Sequence, residues 1–483
     1  MKNRLFWNEA PLLRLAVFLM VGIMIGKYIV VPFPLWPILL GLVLMAWLLS
    51  RYELLQSIAI SACMLVLGWL LMTRQLSSQT IAWPAEEVCY EAVVLSEPVE
   101  KPKTMAVDIQ LTVSGQKLKC YLYKDQRSKA LKIGDGLQIQ SRIENQGFYV
   151  RTFVSSWKWK KAQVSLKHLS RLDRTKLYFL KLRSRLLSRI KAEWNDEGDA
   201  FSVVAAMALG DKKGLTKELK ETYSVTGASH VLALSGLHLG IIYTLLSLLI
   251  GRRRQMFTQI VMITGIWLFV FLVGMPTSVV RAAVMLTLYA VLSLGHREKM
   301  SVNTLAFTAI IMLMMSPMAL FDVGFQMSYM AVFTILLFMP LFECVFSEEY
   351  LMSHKVVKWI WGIVAVSLAA QIGTAPLTVY YFGRFSTCFL LTNLIVMPAA
   401  VVILNLTLVV LLLPSLAYLL LYIVSKLNAV LSFIASIPGS SIDGLHPSVL
   451  QISMVYVIII ASYQLIFFLK NLAGTRKKRT FAI

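Results

Sequence analysis

Apolar residues recur along this chain in blocks of about twenty, the length that carries an α-helix across a bilayer. Residues 12–31, 33–50 and 54–72 form a first cluster, and between 231 and 469 the blocks follow one another almost without a break. Counting them predicts about twelve spans. Residues 81–165 break the rhythm, because there the apolar positions alternate with period two, as in half-buried strands. In Val107-Asp108-Ile109-Gln110-Leu111-Thr112-Val113 every apolar residue falls on one face, Ser114-Gly115-Gln116 supplies a turn, and 117–123 alternates again. A further run follows Gly136, and no helical period competes in this region. About five short strands in so few residues predict a small barrel, of the OB type. The predicted fold class is therefore a polytopic α-helical membrane protein with an inserted small β-barrel. The expected divisions are three membrane helices (1–76), the barrel (80–165), a basic amphipathic helix (166–198), a second membrane domain (199–470) and a basic tail (471–483).

Composition strengthens this reading. The chain is 58% hydrophobic and 15% charged, against about 45–50% and about 25% in soluble domains. The first apolar block is too long for a cleavable signal peptide and has no small-residue cleavage site after it. Basic residues flank the short loops on one side of the membrane, which predicts orientation. Lys2, Arg4, Arg14 and Arg51 mark the inside, as do Arg252 to Arg254, Arg297, Lys299 and the terminal Arg476, Lys477, Lys478 and Arg479. Both termini are then cytoplasmic and the barrel lies outside.

The net charge of +22 is concentrated just past the barrel. Twelve Lys or Arg lie between Lys158 and Lys191, opposed only by Asp173. Leu172, Phe179, Leu182, Leu186 and Ile190 recur among them near the helical period, so an amphipathic helix is predicted, with anionic lipid headgroups or nucleic acid as its counter-surface. Two readings stand for Cys89 and Cys120, a disulfide outside the cytoplasm or two buried thiols. The five cysteines lack metal-ligand spacing and the six histidines are scattered, so no metal is expected.

Candidate chemistry sits in the second membrane block. Ser235 and His238 are three residues apart in a stretch rich in Gly, Ser and His, a spacing that offers a nucleophile and base but supplies no third group. Close helix packing is the plainer reading of such small residues. Arg281, Asp322, Gln326, Gln371 and Asn393 fall within or beside apolar blocks, where a polar group is costly and points to a cavity or a neighbouring helix. A guanidinium on a wet path suits an anionic cargo. No nucleotide, dinucleotide or hydrolase signature occurs, so no cofactor is expected.

Five patches in order resemble the ComEC/Rec2 family of competence channels: 225–240, Pro276 to Ala282, Gly324 to Tyr329, Gln371 to Leu377, and Asn393-Leu394 followed by Pro398. The resemblance implies passage of single-stranded DNA across the inner membrane of a bacterium during natural transformation. It also implies partners: a DNA receptor, a cytoplasmic translocation ATPase or helicase, and a separate nuclease. Ser235, His238, Arg281, Gln326, Gln371 and Asn393 become path candidates. Lys117, Lys119, Tyr121, Tyr123, Lys158, Lys160 and Lys161 become DNA-binding candidates, since charge beside aromatic rings suits single strands. Many members carry a C-terminal metallo-β-lactamase-like domain, and no H-x-H-x-D-H cluster appears in this chain, so no enzymatic activity is expected. A small-molecule transporter and an intramembrane hydrolase are the competing readings, and oligomeric state stays open.

Overall fold

The computed structural model describes residues 10–29, 33–79, 83, 86–146, 149–164, 169–194, 198–250, 255–294, 302–411 and 413–480. Lys2, Arg4, Lys167 and the basic loops at 252–254 and 296–299 lie outside these residues, as do the side chains of the basic tail at 476–479.

Among the described residues seven helices are long and apolar enough to cross a membrane: Pro11–Tyr28, Glu53–Ser77, Val323–Phe342, Lys355–Phe382, Phe389–Val410, Pro414–Ser436 and Val449–Leu469. Six further apolar helices are shorter, Trp36–Arg51 and Thr277–Leu292 among them. Helices are the economical choice here because each satisfies its own backbone hydrogen bonds without water.

Glycines set how closely the first two long helices cross. A Cβ at Gly22 would lie 1.9 Å from the Leu65 carbonyl oxygen, and one at Gly68 would lie 2.3 Å from that of Leu19. Gly26 is similarly pressed against Trp69 and Met72, so a Gly-x-x-x-Gly ridge lets two backbones touch. Gly373 does the same service between Lys355–Phe382 and Val323–Phe342, where its Cβ would meet Thr334.

The inserted domain is a mixed sheet of eight strands: β1 (Val88–Val94), β2 (Val99–Glu100), β3 (Thr104–Leu111), β4 (Lys117–Tyr123), β5 (Gly136–Ser141), β6 (Ile143–Gln146), β7 (Tyr149–Val154) and β8 (Trp159–Lys161). The strand order is β6-β7-β4-β3-β1-β5-β8, with β2 beside β3 and β4 parallel to β7. Eight strands replace the expected five because several are only two to four residues long, too short for alternation to show. Ala92, Val94, Val107, Ile109, Leu118, Leu122, Leu137 and Ile139 fill one face. A helical turn at Gln126–Lys129, which the period-two pattern did not predict, is fixed by a capping box between Asp125 and Ser128.

Two expectations change in this region. Cys89 and Cys120 are both free. Cys120 lies in the core with Leu118 and Leu122, and burial pushes its thiol pKa up. Cys89 does share a face with Val93, but that is the opposite, outer face, and it is exposed at Cys89. The basic helix, Arg171–Trp194, buries Leu177, Leu180 and Ile190, whereas Leu172 is exposed. Of the predicted stripe, Ile190 is buried, Phe179, Leu182 and Leu186 are partly buried, and only Leu172 is exposed; Leu177 and Leu180 widen it. Leu177 packs on Val93 of the sheet, and Phe179 stacks on Phe271 of a membrane helix at 5.7 Å. The helix is thus a strut joining sheet to bundle.

In a solvated helix Gly→Ala is favourable by about 1 kcal/mol. At Gly22 or Gly68 the added methyl meets backbone, so overpacking of about 1–3 kcal/mol is expected instead. Thermal unfolding of the detergent-purified protein should show a lower Tm for Gly22→Ala and Gly68→Ala. Gly41→Ala, at a position with open space around it, should show none.

Candidate functional site

Ser235 precedes the helix Gly236–Ile250, and His238 is the third residue of that helix. The Ser235 backbone N–H donates to His238 Nδ1 at 3.2 Å, and Ser235 Oγ lies 3.2 Å from the same nitrogen. A backbone donor at Nδ1 leaves the ring proton on Nε2. That atom is buried with no hydrogen-bond partner among the described residues, so nothing orients the imidazole as a base from behind. The pair closes a helix start in the manner of a capping box. Upstream, Gly227 adopts φ 80° and packs against Ser386. Arg384 then ties the segment down, pairing with Glu221 at 2.6 Å and with Ser224 at 3.2 Å.

Arg281 sits in the first turns of Thr277–Leu294 and is 2% exposed. Its Nη1 donates to Asp322 Oδ1 at 3.4 Å, and the guanidinium lies 6.0 Å from the Phe325 ring centre. Asp322 is the N-cap of Val323–Phe342, and the same Oδ1 accepts the Phe325 N–H at 2.8 Å. Gly324 admits the guanidinium, since a Cβ there would stand 3.2 Å from Nη2. Phe325 packs on Tyr329, whose hydroxyl donates to Thr308 at 3.4 Å. Arg281 is thus held in an ion pair whose carboxylate faces outward, its side chain 47% exposed, while Arg281 Nε is buried with no hydrogen-bond partner among the described residues. Arg281 and His238 do not meet: Val279 and Ala283 pack with Leu239, and Arg281 lies on another side of its helix.

Gln326 and Asn393 are joined through one helix. Tyr381 Oη donates to Gln326 Oε1 at 2.7 Å, and Asn393 Nδ2 donates to Ser367 Oγ at 3.2 Å. Tyr381 and Ser367 both belong to Lys355–Phe382. Between them Gln371, Thr374 and Thr378 fall at successive spacings of three and four, which is one helix face. This polar stripe, Ser367-Gln371-Thr374-Thr378-Tyr381, runs about 21 Å along an otherwise apolar helix. Thr374 and Thr378 bond back to Ala370 and Thr374 carbonyls, so their oxygens keep a free lone pair. The spacing was legible in the sequence, but only Gln371 stood out, since hydroxyls are common in membrane helices.

On the sheet, internal ion pairs absorb several of the predicted DNA contacts. Lys117 pairs with Asp173 at 3.0 Å, Lys161 with Asp135 at 2.8 Å, and Lys158 with Glu87. Lys160 is exposed. Lys119, Tyr121 and Tyr123 do share an outward face of β4. The parallel neighbour β7 sets Arg151 beside Lys119 and Phe153 beside Tyr121. Tyr121 and Phe153 stack with centres 4.9 Å apart, and Arg151 lies 5.3 Å from the Phe153 ring. Arg151 and Phe153 were missed, although the alternation Tyr149, Arg151, Phe153 carries the same signal as β4.

Apolar helices of membrane-crossing length, a buried guanidinium paired at a helix start and an attached mixed sheet define a polytopic helical membrane protein. The chain belongs to the competence protein family, whose sequence model matches residues 207–468. It is 29% identical over 245 residues to ComE operon protein 3 of Bacillus subtilis, covering 50% of this chain and 30% of that one. An uncharacterized protein of Aquifex aeolicus is 31% identical over 228 residues, 47% of this chain and 48% of that protein. The uncharacterized protein YcaI of Escherichia coli is 25% identical over 207 residues, 41% of this chain and 27% of that protein. The chain thus spans less than half the length of the curated relatives it matches. No solved structure matches.

Removing Asp322 leaves the buried Arg281 charge uncompensated, whereas removing both residues leaves no charge behind. Asp322→Ala should therefore lower the Tm more than Arg281→Ala/Asp322→Ala. Equal losses would mean that the pair is not coupled.

Proposed function

We propose that this protein passes single-stranded transforming DNA across the bacterial plasma membrane during natural competence. The observation that carries the reading is the polar stripe from Ser367 to Tyr381. Its length of about 21 Å covers most of a hydrocarbon core of about 30 Å. Gln371 is partly buried with no hydrogen-bond partner among the described residues, a position that is costly against lipid and natural against water. Asn393 Oδ1 and Thr392 Oγ1 are likewise buried without partners at the Ser367 end. Neutral hydroxyls and amides suit a polyanion in transit, because fixed cations at this depth would hold it.

On this reading the sheet is an OB-type barrel outside the membrane. The order β1-β3-β4-β7, the parallel β4–β7 pair and the helical turn after β4 support it. So does the hydroxyl chain from Tyr90 through Ser141 to Thr152, which links β1, β5 and β7 with two contacts of 2.7 Å. Lys119, Tyr121, Tyr123, Arg151 and Phe153 form the stacking face for bases. Both termini are cytoplasmic, and a DNA receptor, a motor and a separate nuclease act beside the channel, which performs no covalent chemistry itself. The domain divisions follow the same plan, with 199–470 as the channel.

Deletion in a competent strain should abolish entry of labelled DNA into the cytoplasm, and the wild type should restore it. Gln371→Leu should cut transformation at least tenfold at normal protein level, as should loss of the stripe's hydroxyls through Thr374→Val/Thr378→Val. Unchanged transformation in the deletion strain would mean that the function lies elsewhere. In a separate assay on the purified protein, Tyr121→Ala/Phe153→Ala should weaken single-stranded oligonucleotide binding by about 1–3 kcal/mol per lost stack, with a milder salt-dependent loss for Lys119→Gln.

A further inference from the structure

A cavity of about 460 Å³ opens where the β1–β2 loop, the basic helix Arg171–Trp194 and the turn at Gly210 to Lys213 meet. Its level is set by the membrane bundle. The basic helix presses on the turn that ends Gln255–Leu272: a Cβ at Gly274 would touch Leu180 at 2.9 Å, and Arg183 Nη1 donates to the Val273 carbonyl at 3.3 Å. The cavity therefore lies just beyond the end of the apolar helix Gln255–Leu272.

Four cations and two carboxylates line it. Glu97 is engaged by Lys213 at 2.5 Å and by Ser184 at 2.6 Å. Burial works to raise the Glu97 pKa, but these hydrogen bonds outweigh it and hold the carboxyl ionised below its usual range. Asp211 faces Arg183 at 3.9 Å. Both carboxylates are thus occupied, and Lys212 and Lys220 are left with no carboxylate partner among the described residues. Lys212 is exposed as a residue, but partial desolvation and the neighbouring Lys220 ammonium still lower its pKa, so an anion placed between the two would relieve a repulsion already present. The remaining walls are mostly aliphatic, Leu95, Val99, Leu180 and Leu187 among them, and no aromatic ring lines the cavity among the described residues.

We propose that this cavity binds the headgroup of an anionic phospholipid, with the phosphate between Lys212 and Lys220 and the glycerol against Leu180 and Leu187. Aliphatic walls fit glycerol and the first acyl carbons. A single-stranded nucleic acid would need rings on which its bases could stack, and the cavity offers none. The site does not depend on the transport reading. A lipid held there would fasten the strut helix to both the sheet and the bundle.

The test uses the full chain, reconstituted in vesicles of equal phosphatidylglycerol and phosphatidylcholine, released into mild detergent and examined by native mass spectrometry. Retention of phosphatidylglycerol in preference to phosphatidylcholine is expected. Near-surface cations contribute about 1 kcal/mol each to anionic lipid binding, so Lys212→Gln/Lys220→Gln should reduce retention by about tenfold or more. Lys101→Gln/Lys103→Gln, which removes the same charge from the sheet, should leave it intact. Lys220→Gln alone, at an exposed helix position, gives a smaller loss should the double variant fold poorly. Equal retention of both lipids, or unchanged retention in the Lys212 and Lys220 variants, overturns the proposal. Displacement of the lipid by a short oligonucleotide would assign the cations to a nucleic-acid backbone and overturn it equally.

Discussion

Backbone amides that enter lipid find no water, and this constraint orders everything else in the chain. It forces the long apolar segments into helices that close their own hydrogen bonds. It also changes what holds the helices together, because lipid tails are as apolar as leucine and give no hydrophobic reason to associate. Contact must come from close packing, and the structure supplies it at Gly22, Gly68 and Gly373, where backbone meets backbone or a hydroxyl. The same constraint isolates the sheet. Strands with free edges cannot sit in lipid, so the alternating segment stands apart, joined to the bundle by Leu177 on one side and Phe179 on the other.

Polar groups that remain at membrane depth then become informative, since each needs a reason. Arg281 is neutralised by Asp322. Ser235 and His238 meet through Nδ1 at a helix start, which accounts for their spacing, while His238 Nε2 stays buried with no partner among the described residues. The stripe on Lys355–Phe382 has no such closure: its ends bond to Gln326 and Asn393, while Gln371 in the middle faces outward from its own helix. Neighbouring prolines add to this, since Pro376 and Pro398 each withhold a backbone donor inside the helices that carry the stripe and Asn393.

Much of the architecture was legible because it rests on period. Blocks of apolar residues gave the helices, and alternation at 107–113 and 117–123 gave β3 and β4 with their faces. What failed lay where period is silent. Cys89 shares parity with Val93, but parity cannot say which face is the core, and the basic helix covers Val93 while leaving Cys89 exposed. On the basic helix the predicted stripe holds at Phe179, Leu182, Leu186 and Ile190 and misses at Leu172, whose turn lies beyond both contacts. Arg281 and Asp322 were each noticed, yet forty-one residues of sequence separate them, and only the fold sets them together. Short β2 and β8 had too few residues to show any rhythm.

One carboxylate oxygen does two jobs at Asp322, holding the first turn of Val323–Phe342 and accepting from Arg281. The two jobs make the pair asymmetric. Asp322 cannot turn away from its helix without uncapping it, while Arg281 is buried at 2% exposure and donates across from a second helix. Cap and cation thus share one oxygen, so the start of Val323–Phe342 and its hold on Thr277–Leu294 stand or fall together.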